Sequence, residues 1–167
     1  MQNVLIDFEL GSYKNLVIEA SDETGYINGL VDAVIANSRY VFDDEAVDCE
    51  SVRIAADLKQ GLEEAGKPLG AFCYLNGIEE GELTQYCKSE LKRGQVEDAV
   101  IRGIAANEHI EVEAVDLALC RQNYAEEYSR ALLDGMGPDE DLAKKAMLAK
   151  KVLQYLMSVN EWKRHEG

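Results

Sequence analysis

The stretch Asn3-Val4-Leu5-Ile6-Asp7-Phe8-Glu9-Leu10 sets Ile6, Phe8 and Leu10 against Asp7 and Glu9. That two-residue alternation marks a strand with one face on a core and the other in water. Gly11-Ser12-Tyr13-Lys14-Asn15 follows as a turn, and Leu16-Val17-Ile18-Glu19-Ala20 supplies a second strand-forming run, so the opening predicts an antiparallel hairpin. Outward from it the period changes. Residues 22 to 37 place Ile27, Leu30, Val31, Val34 and Ile35 at helical spacing behind Ser21, the expected N-cap. Tyr40-Val41-Phe42 reads as a third short strand running into Asp43-Asp44-Glu45.

Farther along, residues 48 to 65 carry Ile54, Ala55, Leu58, Leu62 and Ala65 on one helical face, with Asp48 and Ser51 as expected caps and Gly66 and Pro68 as the stop. Leu69 to Leu75 is an apolar run that predicts a buried segment, strand or helix. Residues 79–92 and 95–106 read as two helices broken at Gly94, and 109–115 as a strand or a helix entry. A helix over 116–133 aligns Leu117, Cys120, Tyr124, Tyr128 and Leu132. The last helix starts at Gly137-Pro138 with Asp139-Glu140-Asp141 in its first turn, and carries Leu142, Ala146, Ala149, Leu153 and Leu156 as its core stripe toward residue 162. No repeat or linker interrupts the 167 residues. The prediction is a single α+β domain over residues 1–167, a small N-terminal antiparallel sheet with a mainly helical remainder.

Charge separates this chain from an average one. Thirty-two Asp and Glu against 17 Lys and Arg give a net −15. Residues 1 to 50 hold eleven of the carboxylates and only Lys14 and Arg39 in return, so the surplus gathers in the first third. Such a field opposes DNA binding, which scales with the phosphates a protein neutralises, and favours association with basic surfaces. A solvated acidic face is the simpler reading of the same surplus. No apolar run approaches the length of a membrane span, and Met1-Gln2-Asn3-Val4-Leu5-Ile6-Asp7 lacks the basic start of a signal peptide, so the expectation is a cytoplasmic protein with no membrane partner.

The motifs that carry chemistry elsewhere fail here on their context. Gly61-Leu62-Glu63-Glu64-Ala65-Gly66-Lys67-Pro68 follows the start of a phosphate-loop pattern, but Pro68 replaces the hydroxyl that would meet magnesium and two carboxylates sit where phosphate belongs, so it reads as a helix stop. Cys49, Cys73, Cys87 and Cys120 form no close pair and the two histidines, His109 and His165, stand apart, which predicts no metal and no cofactor. A Cys87–His109 nucleophilic pair has no local support, and no catalytic residue is assigned. Asp43, Asp44, Glu45, Asp48 and Glu50 lack the glycine and ligand spacing of a calcium loop. Lys88, Lys92, Arg93 and Arg102 on the expected helix pair around Gly94 suggest a helix-turn-helix, which Glu90, Glu97 and Asp98 offset, so direct nucleic-acid binding is not expected.

Duplex DNA carries one negative charge per about 1.7 Å, so a surplus of this size on one elongated face equals roughly 25 Å of duplex. Gly11-Ser12-Tyr13-Lys14-Asn15 after the opening strand, and Asn123-Tyr124-Ala125-Glu126-Glu127-Tyr128-Ser129-Arg130-Ala131-Leu132, resemble two segments of the plasmid and transposon antirestriction proteins of the ArdA type. That resemblance is confined to the two segments. It implies an acidic DNA mimic acting on restriction enzymes. The expected function is therefore a non-enzymatic inhibitor on the DNA- or RNA-binding surface of a nuclease or defence protein. Asp22, Glu23, Asp43, Asp44, Glu45, Asp48 and Glu50 are its expected partner-binding residues, standing in for phosphates. An immunity- or antitoxin-type protein against a basic toxin is the first alternative, and a small enzyme with a dispersed active site the second. Dimerisation through the C-terminal helices is a further expectation.

Overall fold

A computed structural model of the chain describes residues 3 to 118 and 140 to 164. In order they form β1 (Leu5–Glu9), β2 (Val17–Ala20), α1 (Glu23–Asn37), β3 (Arg39–Phe42), α2 (Asp44–Glu64), α3 (Leu69–Leu75), a 3₁₀ turn at Glu80–Glu82, α4 (Leu83–Glu108), α5 (Glu140–Val159) and β4 (Glu161–Arg164). The class is α+β. Its elements divide into two compact units, one of Met1–Glu9 with Ser38–Ala99, the other of Leu10–Asn37 with Val100–Gly167.

In the first unit β1 pairs with β3 antiparallel, Glu9 opposite Arg39 and Phe8 opposite Tyr40, with an irregularity between Leu5 and Asp7. Asp43, at the end of β3, caps α2: its side chain accepts from Ala46 N at 3.0 Å, and Asp44 and Glu45 fill the first turn. Carboxylates there face the positive end of the helix dipole, which gives much of the acidic run a structural reason. The cap therefore falls a turn before the expected Asp48 and Ser51. The helix ends at Ala65, with Gly66 at φ 65 and Lys67 N bonded to Leu62 O at 2.8 Å, the stop the sequence predicts. Val4, Val47 and Leu91 form one buried cluster with Phe42, Ala46 and Ile54 against it. Ala55, Leu83 and Cys87 form another, joined by Leu58, Leu69, Phe72, Ile78 and Tyr86. Gln95 Oε1 accepts from both Val4 N (2.9 Å) and Leu5 N (3.0 Å), tying the start of β1 to α4.

Helix α4 overturns the break expected at Gly94. The helix runs unbroken through that position, where an added Cβ would meet nothing within 4 Å. A helical glycine costs stability without ending the helix, because its backbone bonds stay intact. The expected helix-turn-helix is thereby absent. Leu69–Leu75 is a helix, and only half of it is buried: Cys73 is 2% exposed, whereas Tyr74 and Leu75 are 85% and 81% exposed.

In the second unit β2 pairs with β4 in parallel, Val17 opposite Glu161 through Ala20 opposite Arg164. The expected β1–β2 hairpin does not form. Its turn instead puts Asn15 at φ 58 and bonds Asn15 N to Val159 O (3.2 Å), which leads the second strand to the C-terminal segment. Gly11 has no alternative residue, since a Cβ there would lie 2.1 Å from the carbonyl oxygen of Asn37. Asp22, one residue after Ser21, caps α1 through Gly25 N at 2.7 Å. Tyr26, Leu30 and Val34 form the buried face of α1, and α1 packs against α5. On α5 the buried residues are Ala143, Val152 and Leu156, whereas Leu142 is 63% exposed and Ala146 exposed, so the stripe is turned from the expected one. The helix stops at Val159 and yields to a strand. His109 ends α4 at φ 54, with Ile110 N on Ala105 O at 2.9 Å, and of the strand or helix entry expected at 109–115, the helix entry is what forms, a loop leading into helix from residue 114. The expected start signal at Gly137-Pro138, most of the 116–133 helix and Cys120 lie outside the described residues.

Candidate functional site

The seven carboxylates expected to bind a partner fall in both units and have different occupations. Asp22 and Asp43 are helix caps. Asp44 accepts from Lys92 Nζ at 3.0 Å and Asp48 from Lys88 Nζ at 2.5 Å. One pair steps four residues up α2 as its partner steps four down α4, so two antiparallel helices are laced by two ion pairs. Lys92 also stands 5.0 Å from the Phe42 ring centroid. Glu50 is 4% exposed and takes a two-pronged bond from Arg53, which reaches on to Asp57. Glu23 and Glu45 stand in the first turns of α1 and α2. The role of free phosphate surrogate therefore does not suit Glu50, and it suits Asp44 and Asp48 only if their lysines are displaced.

A different group of carboxylates lacks this compensation. Between residues 60 and 87 the chain holds Glu63, Glu64, Glu79, Glu80 and Glu82 against Lys67 alone. Among the described residues none of these five forms an ion pair with a base. Glu64 accepts from Gln60 Nε2 at 2.7 Å. Glu79 and Glu82 cap the 3₁₀ turn reciprocally, Glu82 accepting from Glu79 N at 3.0 Å. The Glu80 carboxylate lies against the start of α3, where a Cβ on Gly70 would meet its Oε1 at 3.1 Å. All five side chains are exposed. These acids of the first unit face solvent.

The second unit has an open cleft of about 600 Å³ at the starts of β2 and β4, bordered by Lys14, Asn15, Tyr155, Ser158, Asn160 and Glu161. Beside it Glu108 gathers three donors: Tyr13 Oη at 2.5 Å, Lys14 Nζ at 2.7 Å and Tyr155 Oη at 2.6 Å. The Lys14 ammonium, helped by the two phenols, pulls the Glu108 carboxyl down to about 2 and raises Lys14 above its ordinary range. Burial and the same carboxylate push the Tyr13 phenol up. A carboxylate held ionised by three donors resists taking up a proton, which suits a structural tie rather than a general base near neutral pH. Asn160 is bonded as completely: its Oδ1 accepts from Leu16 N (2.6 Å), and its Nδ2 donates to Tyr13 O (3.1 Å) and Leu156 O (2.7 Å).

Comparison with protein-family models, curated proteins and solved structures finds no match to this chain. Function must be read from its own residues. Among the described residues no group of three His, Cys, Asp or Glu is placed to hold a metal ion, and no helix is long and apolar enough to cross a membrane. Cys87 is buried beside Leu83, with its thiol pushed up by burial. Of the segments that carry the antirestriction resemblance, 123–132 lies outside the described residues, and Tyr13 and Lys14 belong to the Glu108 cluster. The ion-pair lacing of α2 and α4 had a readable signal, acids at 44 and 48 with lysines at 88 and 92, but only once both stretches are known to be helices that meet.

Proposed function

We propose that the chain is a non-enzymatic acidic interaction protein that occupies the cationic, DNA- or RNA-binding surface of another protein, such as a nuclease or defence enzyme. One observation carries the reading: in a chain of net −15, the carboxylates from Glu63 to Glu82 stay exposed and, among the described residues, without basic partners. An uncompensated acidic surface steers association with a basic one and competes with polyanions for it. Asp44 and Asp48 extend that supply of charge. Exposed ion pairs contribute only about 0–1 kcal/mol, so a partner's arginines can take the place of Lys88 and Lys92 at little cost. The antirestriction resemblance points to the same class of partner.

The test is affinity capture on the full chain from lysate at low salt, followed by elution with duplex DNA, RNA or salt, and identification of what each releases. Release of nucleic-acid-binding proteins by polynucleotide supports the reading. Elution by salt but not by polynucleotide, with a basic toxin released, supports the immunity- or antitoxin-type reading instead. Partners retained equally at low and high salt contradict both, because exposed charge interactions weaken as the Debye length shrinks.

A further inference from the structure

Helix α3 is apolar on every side: Leu69, Gly70, Ala71, Phe72, Cys73, Tyr74 and Leu75 contain no charged residue. A helix of that composition is ordinarily enclosed. Here Leu69, Phe72 and Cys73, at spacings of three and four, turn inward to the core. Ala71, Tyr74 and Leu75 repeat the same spacing on the outer side, and all three are exposed, Tyr74 and Leu75 more than any other large apolar residue among those described. The helix that presents them is fixed in place. Phe72 packs edge-on against Tyr86 with ring centroids 6.1 Å apart, Tyr86 Oη bonds Asn76 Oδ1 at 3.1 Å, and Ile78 N closes the helix end on Cys73 O at 3.1 Å.

We infer that this outward face, Ala71, Tyr74 and Leu75, is the docking anchor for a basic amphipathic helix of a protein partner. The inference rests on the reading of the chain as an acidic interaction protein. Charge complementarity selects the occupant: Glu63 and Glu64 precede α3 and Glu79, Glu80 and Glu82 follow it, without ion pairs among the described residues, and Glu80 lies on Gly70, one turn before Tyr74. An approaching helix with leucines on one side and lysines or arginines flanking them would meet apolar surface at the centre and carboxylates at the rim, the usual layout of a protein interface. Residues at i, i+3 and i+4 form a ridge that a second helix can straddle, and Ala71 leaves room for an interaxial distance of about 8–10 Å. Tyrosine adds a large rigid surface with a polar tip, which is why it recurs among the residues that dominate binding.

The experiment uses the full chain and three synthetic helical peptides of equal length, built from Leu and Lys, from Ser and Lys, and from Leu and Gln. Affinity is measured by calorimetry at physiological salt, and the contact is mapped by amide NMR shifts. The Leu/Lys peptide is expected to bind, to shift residues 71–76, and to lose about 30-fold in affinity with Tyr74→Ser/Leu75→Ser. Glu63→Gln/Glu64→Gln/Glu80→Gln should weaken it further and flatten its salt dependence. Unchanged affinity in Tyr74→Ser/Leu75→Ser overturns the docking face and leaves the acidic reading standing. Failure of both lysine peptides to bind even at low salt overturns the acidic reading itself. Equal binding of the Leu/Gln peptide overturns the basic occupant. A dimer of the chain alone in sedimentation equilibrium, lost in Tyr74→Ser/Leu75→Ser, assigns the face to a second copy and overturns the proposal.

Discussion

Replacing Asn160 with alanine should loosen the pairing of β2 with β4 out of proportion to the atoms removed. The amide serves three backbone groups at once: it accepts from Leu16 N and donates to Tyr13 O and Leu156 O. Alanine leaves the Leu16 N–H and the Tyr13 carbonyl without this partner at a half-buried site. Neutral hydrogen bonds contribute about 1 kcal/mol each, so three lost together come to about 3 kcal/mol. For a chain of this length that corresponds to a fall in Tm of about 6–12 °C. Asn160→Asp should be worse despite its equal size, because it keeps the acceptor for Leu16 but turns a carboxylate oxygen toward two carbonyls. The only tryptophan, Trp162, reports on this region directly. It stacks on Tyr26 at 5.2 Å and donates from Nε1 to Ala20 O at 3.0 Å. Thermal unfolding followed by far-UV circular dichroism, with Trp162 emission in parallel, is the assay. An Asn160→Ala protein that melts within about 1 °C of the parent, with emission unchanged, would refute the assignment of Asn160 as the tie between the strands.

Other substitutions probe other links. Gly94→Ala should stabilise the protein by about 0.5–1 kcal/mol, read as a rise in urea midpoint with unchanged slope, because the position is helical, exposed and has open space for a methyl group. Glu108 binds its proton less tightly when folded, with its pKa lowered from 4.5 to about 2. The stability it lends is therefore present above pH 4.5 and is lost as pH falls toward 2. Glu108→Gln should flatten the pH dependence of Tm across that window while changing little of its slope above it. Arg53→Met leaves the buried Glu50 carboxylate without its fork. Its Tm should drop by more than that of Glu50→Gln/Arg53→Met, in which no buried carboxylate has lost its guanidinium.

How far the sequence reaches differs from element to element. Helix α1, the body of α2 and its stop at Gly66 were legible because each is set by contacts within a few residues. Strand partners were not. Leu5–Glu9 and Val17–Ala20 alternate in ways that suit any partner, and the choice was made by bonds from Asn15 and Leu16 to residues some 144 positions away. The strand Glu161–Arg164 is short and mostly charged, so it carries no strand pattern of its own. Gly94 misled because glycine weakens a helix without breaking it. The acids proposed to meet a partner differ from those the sequence suggested for a related reason. Residues 43 to 50 have the denser charge, yet their compensation comes from Arg53 on the same helix and from Lys88 and Lys92 of α4. Among the described residues no base folds back on the sparser acids from Glu63 to Glu82. The outward side of α3 was hidden by its own composition, since an apolar heptapeptide reads as buried whichever face the fold leaves open.

By the proposed function, this chain takes the place of nucleic acid on a cationic protein. The most direct test is whether the chain and duplex DNA exclude each other from the captured partner, followed by gel filtration of the three-component mixture. Two separate binary complexes are expected, with the chain displaced more readily in Glu63→Gln/Glu64→Gln/Glu80→Gln than in Asp44→Asn/Asp48→Asn. A stable ternary complex holding partner, DNA and chain together would contradict the proposed function.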